Sequence, residues 1–176
     1  ILYMPEKWPP VEGRYKTGNP DSPVAICTMA SLDMIDLFPM DKIAIVGKTV
    51  TENLGIEKII KNIISNPKIR FLILCGKVSK GHFVEDAIEC LIKNGVDTEK
   101  RILGAKGAMP VLKNVSMEEI ETFRKQITPI NLANITDIDK IMVKVNECLN
   151  NNPGPMKEEA NIKEEEIETI IAEPDE

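Results

Sequence analysis

Ile69-Arg70-Phe71-Leu72-Ile73-Leu74-Cys75-Gly76 is a near-continuous apolar run of strand length, the kind of segment that lies at the centre of a parallel sheet with both faces covered. What flanks it decides the fold. On its N-terminal side, Thr51 to Ile64 sets Ile56, Ile59, Ile60, Ile63 and Ile64 on one helical face, with Thr51 or Asn53 as cap and Asn66-Pro67 as the stop. On its C-terminal side a second helix is expected from about His82 to Lys93, with Phe83, Ala87, Ile88, Leu91 and Ile92 inward and a left-handed residue at Asn94-Gly95.

The same alternation continues outward. Val24 to Thr28 and Ile43 to Val46 read as short buried strands, and another is expected near Arg101 to Leu103, ahead of a Gly-rich loop. Ser116-Met117-Glu118-Glu119 has the form of a capping box, in which Ser116 and Glu119 exchange side-chain and backbone hydrogen bonds, for a third helix to about Gln126. A last strand, Ile127 to Leu132, precedes a helix from about Asp137 to Leu149. Strand and helix alternating in this way predict an α/β, Rossmann-like domain: a mostly parallel sheet flanked by helices on both faces.

Residues 1–23 are broken up by Pro5, Pro9, Pro10, Gly13, Gly18, Pro20 and Pro23, so an irregular arm is expected, pinned to the domain by Trp8 and Tyr15. The α/β domain is placed at 24–150 and an acidic tail at 151–176, where Ile162, Ile167, Ile170 and Ile171 could dock a loose helix. The net charge of −6 is concentrated in that tail, which holds nine of the 28 acids and two of the 22 bases; residues 1–150 therefore carry 20 bases against 19 acids. A near-neutral domain with 4% aromatics lacks the basic stripe that neutralises phosphates, and nucleic acid is not an expected partner. No stretch approaches the roughly 20 apolar residues of a membrane span, and Ile1 to Pro10 does not have the form of a secretory signal. Cys27, Cys75, Cys90 and Cys148 are far apart with no C-x-x-C spacing, which suits reduced, buried thiols and a cytoplasmic location.

Three loops of small residues follow the expected strands: Gly47 to Gly55, Gly76 to His82, and Gly104 to Pro110. Ligands in such sheets collect where loops converge at the carboxyl ends of the strands, and glycine or alanine there lets a flat, bulky ligand approach the backbone. Val46-Gly47-Lys48-Thr49 looks like the end of a P-loop, but the glycine that motif needs five positions earlier is Lys42, and no strand is followed by G-x-G-x-x-G. A nucleotide enzyme is therefore disfavoured. His82, the single histidine, sits just after Gly81 at the expected start of a helix leaving the central strand. A helix N-terminus disfavours the imidazolium and keeps a lone pair for a metal, although Glu85 and Asp86 partly counter that effect. One imidazole does not make a zinc site, whereas a cofactor that brings its own equatorial ligands needs just one; corrinoid and haem both qualify.

The run from Thr51 through Ser65-Asn66-Pro67, the strand Ile69 to Gly76, the pair Gly81-His82, Asn94-Gly95-Val96-Asp97 and Gly104-Ala105-x-Gly107-Ala108-x-Pro110 together resemble the A subunit of tetrahydromethanopterin S-methyltransferase, over about residues 7–155. The resemblance implies a corrinoid carrier. It would bind 5-hydroxybenzimidazolylcobamide, a relative of cobalamin, with His82 as the lower axial ligand to cobalt and as the catalytic group. Gly81, Thr51, Asn53, Leu54, Gly55, Gly76, Gly104, Ala105, Gly107, Ala108 and Pro110 would line the cofactor. It further implies transfer of a methyl group from methyl-tetrahydromethanopterin through cobalt to coenzyme M, with the other methyltransferase subunits catalysing the two transfers and the whole complex exporting sodium. The chain departs from the family at Phe83-Val84-Glu85-Asp86, in Met29 to Asp41, and in ending on acids where the family's membrane member carries a transmembrane helix, so a soluble paralogue or a cytoplasmic domain is expected. The rival reading is a cobamide-storage or regulatory module that keeps His82 but transfers no methyl group.

Overall fold

The computed structural model describes residues 7–156; the expected docking of Ile162, Ile167, Ile170 and Ile171 lies outside the described residues. A five-stranded sheet runs in the order β1-β3-β2-β4-β5, built from β1 (Tyr15–Thr17), β2 (Val24–Cys27), β3 (Ile45–Gly47), β4 (Phe71–Gly76) and β5 (Thr128–Ala133). β3, β2, β4 and β5 are parallel, with Ala25 beside Ile45, Ile26 beside Ile73, and Ile73 beside Ile130. The apolar run anticipated as the central strand is indeed bordered on both sides.

Alternation along the strands divides the core in two. Ala25, Cys27, Leu72 and Leu74 face α1 (Leu54–Ile64), α2 (Val84–Asn94) and α3 (Met117–Gln126), meeting Ile56, Ile60, Ile88, Leu91 and Phe123. Val24, Ile26, Ile73 and Cys75 face the other way, onto α4 (Ile138–Asn150) through Ile141 and Val145, and onto Met34 and Ile35. The Ser116–Glu119 capping box is present, with N–H to side-chain distances of 3.0 and 2.8 Å. Gln126, almost fully buried, fastens α3 to the end of α1 and the turn that leads into β4 by donating Nε2 to the carbonyls of Ile63, Asn66 and Ile69.

Three expectations need correction. The arm is not wholly irregular, because Tyr15–Thr17 pairs antiparallel with β3; an edge strand needs only a neighbour's free backbone groups, which no local pattern announces. Arg101 to Leu103 forms isolated bridges, Arg101 to Val111 and Val96 to Ile102, and does not join the sheet. The β2–β3 crossover, for which no element was expected, holds two short 3-10 turns, Leu32–Leu37 and Met40–Lys42. Residues beyond 150 still bind the domain: Arg70 Nη1 donates to Gly154 O at 2.7 Å, and Met156 N donates to Pro67 O at 2.7 Å. Trp8 and Tyr15 pin the arm as expected, packing on the α1-side core, with Trp8 Nε1 donating to Asn62 O at 2.8 Å.

Candidate functional site

α1 begins where the backbone loses partners and side chains supply them. Asn53 Oδ1 accepts from Leu54 N at 2.6 Å, and Thr51 Oγ1 accepts from Gly55 N at 2.8 Å. Between these caps stands Glu52, a carboxylate with only 4% of its side chain exposed. Burial of this kind requires partners. Glu52 Oε1 accepts the N–H of Met109 at 3.0 Å, and Oε2 lies 2.7 Å from Nδ1 of His82.

That pairing fixes the chemistry of His82. A carboxylate can only accept, so Nδ1 carries a proton, and whenever the ring is neutral it is Nε2 that presents the lone pair. The ring is 44% exposed, and Phe83, next in sequence, Leu54, two residues from Glu52, and Met109, whose N–H is on the same carboxylate, each expose an apolar side chain. Burial by itself would raise the Glu52 carboxyl, but the hydrogen bonds from Met109 N–H, its own backbone N–H and His82, with the charge of His82, together hold it below its ordinary value.

His82 does not belong to α2. It closes the turn from Ser79, with its N–H on Ser79 O at 3.2 Å, and Phe83 follows in the left-handed region at φ 51° before the helix starts at Val84. The ring's hydrogen-bond partner is therefore Glu52, and the ring lies outside the helix's first turn. A bulky residue in that conformation is held by its surroundings, a strain that recurs at functional sites.

The remaining expected residues divide into two groups. Gly107 belongs with the pair: a Cβ there would lie 2.8 Å from Glu52 Cγ and 2.9 Å from the carbonyl of His82. Gly81, at φ +83°, makes the open turn that presents His82. Thr51, Asn53, Leu54 and Gly55 form the α1 start beside Glu52, and Ala108 is the exposed neighbour of Met109. Elsewhere, Gly76 packs against Thr28 and Ser31, Gly104 against Asn94, Ala105 against the core, and Pro110 gives its carbonyl to Ile102 N–H at 2.8 Å. The crevice between the ends of β2 and β4 is laced shut by Ala30 N to Lys77 O at 2.8 Å and Lys77 N to Ser31 Oγ at 2.9 Å. Convergence thus occurs to one side, over α1 and α2.

Glu52 is the residue that sequence reasoning missed. A lone acid between two capping residues, in a chain whose single histidine follows another strand, was the available signal; it pointed to a carboxylate partner but not to which acid. Among the described residues no three of His, Cys, Asp and Glu come together as a metal site. No helix among them is long and apolar enough to cross a membrane.

Fold and site together define an α/β domain that presents, beside the start of α1, one half-exposed imidazole held by a buried carboxylate. Residues 3–170 match the family described as the A subunit of tetrahydromethanopterin S-methyltransferase. The chain belongs to that family. It is 51% identical over 159 residues to the tetrahydromethanopterin S-methyltransferase A subunit 1 of Methanothermobacter marburgensis, covering 89% of this chain and 66% of the relative. The A subunit 2 of Methanothermobacter thermautotrophicus is 42% identical, with 89% of this chain and 85% of the relative covered. The A subunit of Methanocaldococcus jannaschii is 44% identical, with 89% and 66% covered. The chain thus spans just under two thirds of the length of the Methanothermobacter marburgensis relative.

Proposed function

We propose that the chain is a corrinoid-binding methyl carrier within a tetrahydromethanopterin S-methyltransferase system, with Nε2 of His82 as the lower axial ligand to cobalt. One observation carries the reading: the buried Glu52 carboxylate engages Nδ1 at 2.7 Å and leaves the other nitrogen of a half-exposed ring for a metal. Residues present fit a cobamide. Its cobalt would supply the methyl-accepting and methyl-donating centre; the chain's part is to hold, orient and shield. Glu52 sets the tautomer and aims the ring, Met109 N–H and Gly107 hold Glu52 in place, and Leu54, Phe83 and Met109 offer apolar contact to the macrocycle and keep water from it. Methyl-tetrahydromethanopterin as donor, coenzyme M as acceptor and partner subunits that catalyse both transfers belong to the same proposal; the names of the relatives support the tetrahydromethanopterin substrate and the existence of further subunits.

The decisive experiment uses cobinamide, which lacks a nucleotide base, so that any nitrogen seen on cobalt comes from the protein. Loaded as Co(II), the native chain should give nitrogen superhyperfine splitting in its electron paramagnetic resonance spectrum, and His82→Ala should not. Splitting that survives the substitution removes the ligand assignment. Methyl transfer in the presence of partner subunits separates a carrier from a storage module.

A further inference from the structure

Glu57, in the first turn of α1, is a second carboxylate withdrawn from water, 5% exposed on a helix whose Ile56 and Ile60 are fully buried. Such an acid lowers stability unless its oxygens find donors. One residue supplies both: Oε2 accepts from Asn114 N and Oε1 from Asn114 Nδ2, each at 2.9 Å. The grip of Glu52 on Met109 N–H, at 3.0 Å, spans the same separation along the chain, 57 positions, as the grip of Glu57 on Asn114. Residues 109–114 therefore run alongside residues 52–57 in a common direction, held at each end by a buried carboxylate, with Leu112 fully buried in the α1-side core between them.

The two kinds of hold do different things. Apolar contact through Leu112 fixes the depth of the loop but is non-directional, so it does not fix the loop's place along the helix; hydrogen bonds, which need alignment, do. Register matters here because of what a slip would deliver. Met109 is followed by Pro110, which has no N–H, so a shift by one position in that direction leaves Glu52 Oε1 without its donor. Among the influences that oppose burial at Glu52, the Met109 N–H is the largest. Without it the carboxyl takes up a proton more readily, and a protonated carboxyl donates to Nδ1, which places the ring's own proton on Nε2 and removes the lone pair there. We infer that Glu57 is a positioning residue for His82: its two-point hold on Asn114 sets the register of residues 109–114, delivers Met109 N–H to Glu52, and so keeps the proton of the neutral ring on Nδ1. The inference deepens the axial role proposed for His82 and takes its functional meaning from it.

His82 is the single histidine, so the imidazole nitrogen NMR resonances of the full chain without cofactor, taken at a pH where the ring is neutral, report its tautomer alone. The native chain should show the proton on Nδ1. Asn114→Asp, an exposed change that sets a carboxylate against Glu57, should shift the resonances toward a mixture of tautomers, and Glu57→Ala should do the same. Adding Glu57→Gln to Asn114→Asp puts a donor opposite the new acceptor and should restore the native resonances. Ile73→Ala, in the α4-side layer, should leave them in place despite its loss of stability. With Co(II) cobinamide, Asn114→Asp should bind about ten-fold more weakly, the lower end for an outer partner of a ligating histidine, and the double variant should bind as the native chain does. Native resonances in Asn114→Asp and in folded Glu57→Ala overturn the inference, as does an equal shift in Ile73→Ala. A native chain with no protein nitrogen on cobinamide overturns the axial reading instead, while the cofactor-free resonances still decide the role of Glu57.

Discussion

At Glu52, burial and hydrogen bonding pull on one carboxyl in opposite directions, and the hydrogen bonds prevail. Because its folded value is depressed, ionised Glu52 contributes stability that is complete above the ordinary glutamate range, near pH ~4.3, and is lost as pH falls through the lower folded value. The urea midpoint of the native chain should therefore decline more steeply on acidification below that range than that of Glu52→Gln. Parallel profiles would mean the carboxylate is not held as described. At neutral pH the same variant should bind cobinamide about 10–100-fold more weakly, the usual cost of losing an outer partner of a ligating histidine, as read by titration. Gly107→Ala should act in the same direction, since its methyl group would meet the carbonyl of His82 and the stem of Glu52 at under 3 Å.

Helix ends, at the scale of elements, are where local sequence speaks most clearly. Ser116→Ala removes one half of a capping box seen in the structure, so a loss of about 1 kcal/mol is expected in urea denaturation, with cofactor affinity unchanged because α3 meets the site only through the core. An undiminished midpoint would mean that water replaces the serine. Such ends were legible because a cap is a contract between residues three apart, and α1, α4 and β4 were legible because periodicity or an unbroken apolar run decides burial. The misses share one cause, dependence on distant partners. Tyr15–Thr17 is a strand only because β3 lies open beside it, Arg101 to Leu103 lacks a sheet neighbour, and α2 starts after His82 because Phe83 adopts the left-handed region. The site was legible in the same measure: His82, Gly81 and Gly107 stood out as residue types, whereas Glu52 became visible only once Met109, 57 positions away, met its carboxylate.

In the whole molecule the two apolar layers have one sheet in common, and alternate residues of β2 and β4 belong to opposite layers: Cys27 to the α1 side, Ile73 and Cys75 to the α4 side. Neither layer can lose its packing without exposing a strand that the other needs, so both should unfold in one transition. Buried cysteines make this measurable. Burial pushes the thiol of Cys27 up to about 11 and that of Cys148, on α4, up to about 11, so both should resist alkylation at neutral pH until the chain opens. Alkylation of the two, followed by mass spectrometry across a urea series, should give one shared midpoint. Ile73→Ala creates a cavity in the α4-side layer alone, at a cost of about 2–5 kcal/mol, yet it should lower the midpoints of Cys27 and Cys148 equally. If Cys148 moved while Cys27 stayed, the layers would be separable. The His82–Glu52 site, built on the α1 and α2 side, would then be insulated from the α4 face; a common shift ties the posture of His82 to the stability of the entire sheet.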